Sequence, residues 1–312
     1  MFIEQAYTKN FDFVKYLPIP IVFFLIMLLN FAVLMVLPID TDAMIAQEVA
    51  KKGENRVFFE LVFPLSFALV LLLLYVKYVH KQTITSLTTA RKKIDWKRIF
   101  FAFFLWGGLT AGITLLDYYL DPTAYQFNFK PMPFAILAVI AIILIPMQTS
   151  FEEYLFRGYL MQGIGVKFKS RLIPLLFTSC VFGLMHIANP EVGKIGYIVL
   201  VYYIGTGLFL GIITLMDDGL ELALGFHAAN NLVTALLLTS NWTAFQTPSI
   251  FKDMSDPSTG FDVLLPVLVI FPILLFIFSK TYNWTGWKEK LTGKIVLPNN
   301  NSFTNTTIAN HE

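Results

Sequence analysis

Charge is scarce in this chain. Asp, Glu, Lys and Arg make up 14% of its 312 residues while hydrophobic residues make up 56%, against about 25% charged in a soluble globular chain. With a mean hydropathy of +0.65, a soluble domain is excluded and a polytopic membrane protein is predicted. Cysteine is nearly absent: Cys180 alone excludes an intramolecular disulfide and a cysteine-rich metal centre. It sits in an apolar run, where a small buried hydrophobe is expected. The formal charge of +2 carries no information about nucleic acid, no basic stretch interleaved with aromatics appears, and no nucleic-acid partner is expected. No small-x-small cleavage site follows the first apolar run, only Leu37-Pro38-Ile39-Asp40, so that run reads as a retained span rather than a signal peptide.

What is present is a series of apolar runs. Eight spans can be drawn, at 17–38, 57–79, 99–120, 134–157, 172–189, 194–215, 220–240 and 262–280, each near the ~20 residues a bilayer requires. Most of the 23 Lys and Arg residues fall in the connections after the second and fourth spans and at the two ends. The excess predicts that both termini are cytoplasmic. The fold class expected is therefore an all-α, polytopic transmembrane helical bundle of about eight spans. Its organisation reads as N-terminal spans with a basic loop (1–133), a core of four spans (134–240), a loop, last span and basic segment (241–297), and a disordered polar tail (298–312). Residues 81–97 are expected to form an amphipathic helix on the anionic inner surface. Gly108-x3-Gly112 and Gly207-x3-Gly211 predict close helix approach. Glu60 is expected to reach the interface beside Arg56, and Asn30 to find an interhelical hydrogen bond.

The polar residues at membrane depth are the informative ones, because a charge there costs roughly 2.5–3.5 kcal/mol on insertion scales. Glu152, Glu153 and Arg157 end the fourth run. Glu153 and Arg157 are four apart and stack on one helical face, whereas Glu152 is turned about 100° away and left unpaired. His186 ends Phe182-Gly183-Leu184-Met185-His186, and His227 begins His227-Ala228-Ala229-Asn230-Asn231. His227 and Asn231 share a face, and Phe182 shares one with His186. His80 and His311 show no evident partners. Small residues beside both intramembrane histidines leave room for close helix approach or a bound chain.

A carboxylate, two imidazoles and an amide meeting in a wet pocket make a hydrolytic site, and two chemistries fit. In one, Glu152 acts as general base on a water held with His186, while His227 and Asn231 donate to the oxyanion. In the other, Glu152, His186 and His227 hold a Zn²⁺ whose water attacks, with Glu153 as base. The H-E-x-x-H zinc motif is absent.

Glu-Glu-x3-Arg, Phe-x3-His and His-x3-Asn on successive apolar segments resemble the CPBP family, the type II CAAX prenyl endopeptidases and the Abi-like bacteriocin-processing or immunity proteins. The resemblance covers about residues 134–240 and no motif position departs from it. It implies an intramembrane endopeptidase of a bacterial cytoplasmic membrane, with a site open to the cytosol. Glu152, Glu153 and Arg157 would form the first motif, His186 the second, and His227 with Asn231 the third. Membrane lipids and a peptide or protein substrate, in some members a prenylated C-terminal tail, are the partners it implies. A non-catalytic immunity or scaffold protein and a proton-coupled transporter are the other readings. For Glu152 to lie as deep as the histidines, the fourth helix must run on from Phe134 to about Lys167.

Overall fold

The computed structural model describes residues 1–37, 40–257 and 260–297. The segment expected to be a disordered tail, His311 included, lies outside them. The main helices are α1 (Pro18–Val36), α2 (Thr41–Lys52), α3 (Glu54–His80), α4 (Trp96–Leu120), α5 (Pro131–Phe168), α6 (Leu172–Leu184), α7 (Val199–Asp217), α8 (Glu221–Leu237) and α9 (Val263–Thr281). Each expected span contains a helix. Six of those among the described residues are long and apolar enough to cross a bilayer; α6 has 13 residues and α8 has 17. The protein is a polytopic helical membrane protein. One small element was not legible: strands β1 (Tyr125–Phe127), β2 (Leu238–Thr239) and β3 (Phe251–Asp253) form a sheet with β3 in the middle, antiparallel to β1 and parallel to β2. Strands of two or three residues are too short to show an alternating pattern.

The helix ends follow local chemistry. Asp40 accepts from the amides of Asp42 and Ala43 at the start of α2, and Asp95 from that of Lys97 at the start of α4, as N-cap carboxylates do. α5 runs unbroken for 38 residues, the extension that the depth of Glu152 demanded. Pro146 lies inside it, and Tyr154–Leu160 is wound as a π-helical segment, a distortion frequent at functional sites. α8 lies along α4 and α5, α7 along α6, and α3 along α5. α5, α6, α7 and α8 thus surround the polar residues.

Of the two glycine pairs, only one does what the spacing suggests. A Cβ at Gly207 would lie 2.7 Å from the carbonyl oxygen of Ser179, and one at Gly211 would lie 2.6 Å from Leu175, so α6 and α7 touch through their backbones there. Gly108 and Gly112 have nothing within 4 Å, and the close approach on α4 is made by Gly107, against Val233 and Ala229 on α8. Gly207→Ala is therefore expected to destabilise the protein by about 1–3 kcal/mol through overpacking. Gly108→Ala is expected to stay within about 0.5 kcal/mol of the parent. Thermal unfolding in detergent distinguishes the two.

Other expectations are corrected. Residues 81–97 do not form an amphipathic helix: before α4 begins at Trp96 only Ile84–Thr88 is helical, and Arg91 turns inward to Asp217 (2.9 Å) and Glu221 (3.1 Å). Buried carboxylates attract it more strongly than the solvated surface does. His80 is buried, with Nε2 3.1 Å from the Tyr159 hydroxyl and its ring against Tyr16 and Tyr75. Cys180 faces outward from α6 rather than into the core. Asn30 is exposed on α1 and lines a groove, with no interhelical hydrogen bond among the described residues. Glu60 does bind Arg56 (2.6 Å) and also Lys52 (3.0 Å).

Candidate active site

The site is assembled from α5, the end of α6 and α8. Glu152, Glu153 and Arg157 are all buried at the π-helical distortion of α5. Arg157 Nη1 donates to Glu153 Oε1 (3.0 Å), Nη2 donates to the carbonyl of Gly207 (3.1 Å), and the guanidinium lies 4.1 Å from the centre of the Phe182 ring. The second of these bonds needs Gly207 to lie close against the neighbouring helix. Burying an arginine at membrane depth requires such pairing, because an uncompensated charge there is costly.

His227 is bound to the same carboxylate: Nδ1 lies 2.7 Å from Glu153 Oε1. Since a carboxylate only accepts, Nδ1 carries the proton. Nε2 is then turned toward Glu152 Oε2 at 3.9 Å, too far for a direct hydrogen bond. Glu152 is held from the other side. Its Oε1 accepts a short hydrogen bond from Gln148 Nε2, while Oε2 is buried without a hydrogen-bond partner. Asn231 Nδ2 donates to Gln148 Oε1 (3.3 Å). The two glutamates therefore differ, as their angular separation on the helix implied: Glu153 Oε1 is shared by Arg157 and His227, Glu152 has only the Gln148 amide at hydrogen-bond distance, and the Oε2 of each is buried without a hydrogen-bond partner.

His186 lies just beyond the C-terminus of α6, in a turn rather than in the helix. Its Nδ1 is 2.8 Å from the carbonyl of Phe182, so Nδ1 is again the protonated nitrogen and Nε2 the free one. The imidazole is stacked on Tyr203 of α7, 4.3 Å between ring centres at 13°. Among the described residues no hydrogen bond or ion pair ties His186 to the other polar groups. What joins them is Phe182, whose ring centre is 5.1 Å from that of His186 and 5.9 Å from that of His227. The connection that follows carries Glu191, whose Oε1 accepts from the amide of Ala244 (3.0 Å). Burial pushes its carboxyl above the usual carboxylate range.

Sequence reasoning missed Gln148, although its place four residues before Glu152 in an apolar run was a usable signal, and it missed Asn230. The donor chemistry of Glu152, His186 and His227 suits a metal, but their geometry does not. Among the described residues no three His, Cys, Asp or Glu side chains come together closely enough to hold one.

A helical membrane bundle with a buried glutamate–arginine–histidine cluster narrows the class, and comparison with known proteins narrows it further. Residues 131–233 match the family model of the type II CAAX prenyl endopeptidase Rce1-like proteins. The chain is 32% identical over 180 residues to the uncharacterized protein YyaK of Bacillus subtilis, an alignment covering 57% of this chain and 60% of that protein. The chain thus spans less than two thirds of the length of the curated relative it matches. No solved structure matches it.

Proposed function

We propose that this protein is an intramembrane endopeptidase that hydrolyses peptide bonds with a water activated by Glu152. The observation that carries the reading is the buried, unpartnered Oε2 of Glu152 facing the Nε2 edge of His227. Leaving a buried acceptor unpaired costs about 1–3 kcal/mol; Glu153 Oε2 is unpaired as well, but Glu153 is tied through Oε1 to Arg157 and His227, whereas Glu152 has no cationic partner at hydrogen-bond distance. The Rce1-like match over the same helices supports it.

In this reading Oε2 takes the proton of the water as its oxygen attacks the scissile carbonyl, and returns it to the departing amine. Asn231 has one N–H engaged by Gln148 and a second available for the oxyanion. His227, its Nδ1 proton committed to Glu153, presents an unprotonated Nε2 beside Glu152, where it accepts a hydrogen bond from the water and helps aim it at the carbonyl. His186, with Nε2 free, positions the water. Arg157 keeps Glu153 in place. No step is routed through a metal. An apolar groove of about 760 Å³ between α1 and the turn carrying His186, lined in part by Met27, Phe31, Met185 and Ile187, would accept the apolar part of a substrate, including a prenylated tail. Its bacterial-membrane setting, cytosolic access and any part in bacteriocin immunity belong to the same proposal.

The test is cleavage of a peptide library by the full chain in liposomes. His186→Ala is expected to lower kcat by about 10²-fold or more with an unchanged melting temperature, and cleavage surviving at the parent rate would reject the role. Cleavage is also expected to persist after exhaustive dialysis against EDTA. Loss that zinc alone restores would instead favour the metal chemistry.

A further inference from the structure

A directed hydrogen-bond chain enters the site from α4, outside the segment that carries the Rce1-like match. Trp106 Nε1 donates to Asn230 Oδ1 (3.0 Å), Asn230 Nδ2 to Asn231 Oδ1 (3.1 Å), Asn231 Nδ2 to Gln148 Oε1 (3.3 Å), and Gln148 Nε2 to Glu152 Oε1. Three carboxamides in series have two self-consistent orientations, related by flipping all of them together. The two ends select one. An indole N–H only donates and a carboxylate only accepts, so every amide must take with its oxygen and give with its nitrogen.

We infer that Trp106 and Asn230 are positioning residues of the catalytic site, holding the Asn231 amide with its nitrogen toward the reacting carbonyl. Trp106 is nearly buried at 7% exposure and stacks on Phe226, 4.6 Å between ring centres at 28°. Its indole is therefore fixed before the chain begins. Without the indole proton, Asn230 Oδ1 loses its donor and the amide is free to rotate. Asn231 Oδ1 then loses its own donor, and the N–H reserved for the oxyanion is no longer held in direction. Because that bond is made only as the tetrahedral intermediate forms, the loss falls on kcat rather than on KM.

The kinetic part rests on the endopeptidase reading. Trp106→Phe keeps the ring stack and removes the donor; it is expected to lower kcat about tenfold with KM within about twofold. Asn230→Leu is expected to do the same, and the double variant to lose no more than either single one, since both act through Asn231. Trp284→Phe is the control: it also removes a buried indole bond, to Asp217 (3.1 Å), but away from the chain, and its kcat should equal the parent's. An unchanged kcat in Trp106→Phe, additive losses in the double variant, or an equal loss in Trp284→Phe would each overturn the inference while leaving the endopeptidase intact. If the parent cleaves nothing, the proposed function fails and the chain is still readable. The ¹⁵N-indole NMR signal of Trp106, identified by its absence in Trp106→Phe, should shift when Gln148→Leu cuts the far end. No shift would overturn the directed chain itself.

Discussion

Glutamine at position 152 is expected to reduce peptide cleavage by about 10²–10⁴-fold, the contribution of a positioned general base, while the protein keeps or gains thermal stability. Both halves follow from the same geometry. An amide oxygen still accepts from Gln148 as Oε1 does now, so the local network survives. The unpartnered Oε2 loses its charge, which removes the cost of burying an anion that is not fully hydrogen-bonded. Glu153→Gln should behave in the opposite way. Glu153 and Arg157 have no solvent exposure at all, and removing one partner of a buried pair costs about 3–5 kcal/mol because the other charge is left uncompensated. Rates of cleavage in liposomes and melting temperatures in detergent, measured on both variants, separate a base from a structural carboxylate. Full activity in Glu152→Gln would remove the proteolytic reading and favour a non-catalytic scaffold.

Asp217→Ala is expected to be among the most destabilising single changes, by about 3–5 kcal/mol, although it lies in a stretch, Asp217-Asp218-Gly219, that in the sequence looks like an ordinary polar connection. The side chain of Asp217 is 2% exposed and accepts from Arg91 (2.9 Å), Arg98 (2.5 Å) and the indole of Trp284 (3.1 Å). It thereby ties the basic loop, α4 and the C-terminal segment to the end of α7. Its neighbour is a built-in comparison. Asp218 binds Lys290 at 2.8 Å with side chains 27% and 21% exposed, and it accepts from the amide of Phe2. Its replacement by alanine should cost about 1 kcal/mol or less. Denaturant titration of both variants, followed by tryptophan fluorescence, checks the ratio; equal losses would mean that the cluster does not depend on the buried position of Asp217.

The contrast between these two aspartates shows how far the sequence reaches. Glu153 and Arg157 were legible as a pair because they are four residues apart on one helix, and the freedom of Glu152 followed from its angular offset. Gln148 was legible by the same rule and was overlooked. Asp217 with Arg91, and Asn230 with Trp106, lie 126 and 124 residues apart; no periodicity relates such positions, so burial and partners there come only from packing. Residues 81–97 illustrate the error this produces. Their basic residues suggested a membrane-surface helix, but inward-facing carboxylates on α7 and α8 draw Arg91 away.

The sequence alone determined that the chain is a helical membrane protein and where its apolar helices lie, since apolar length and helical period are local properties; α2, in the connection after the first span, was not among them. It also determined which polar residues are costly enough at membrane depth to need a reason. Tertiary structure decided that Glu153 binds Arg157 and His227 while Glu152 turns an unpartnered oxygen toward the far nitrogen of His227. It also decided which nitrogen of each histidine carries the proton and that Trp106 sets the direction of the amides. Those properties depend on which atoms meet across separate helices, and helix packing rather than helical period brings them together.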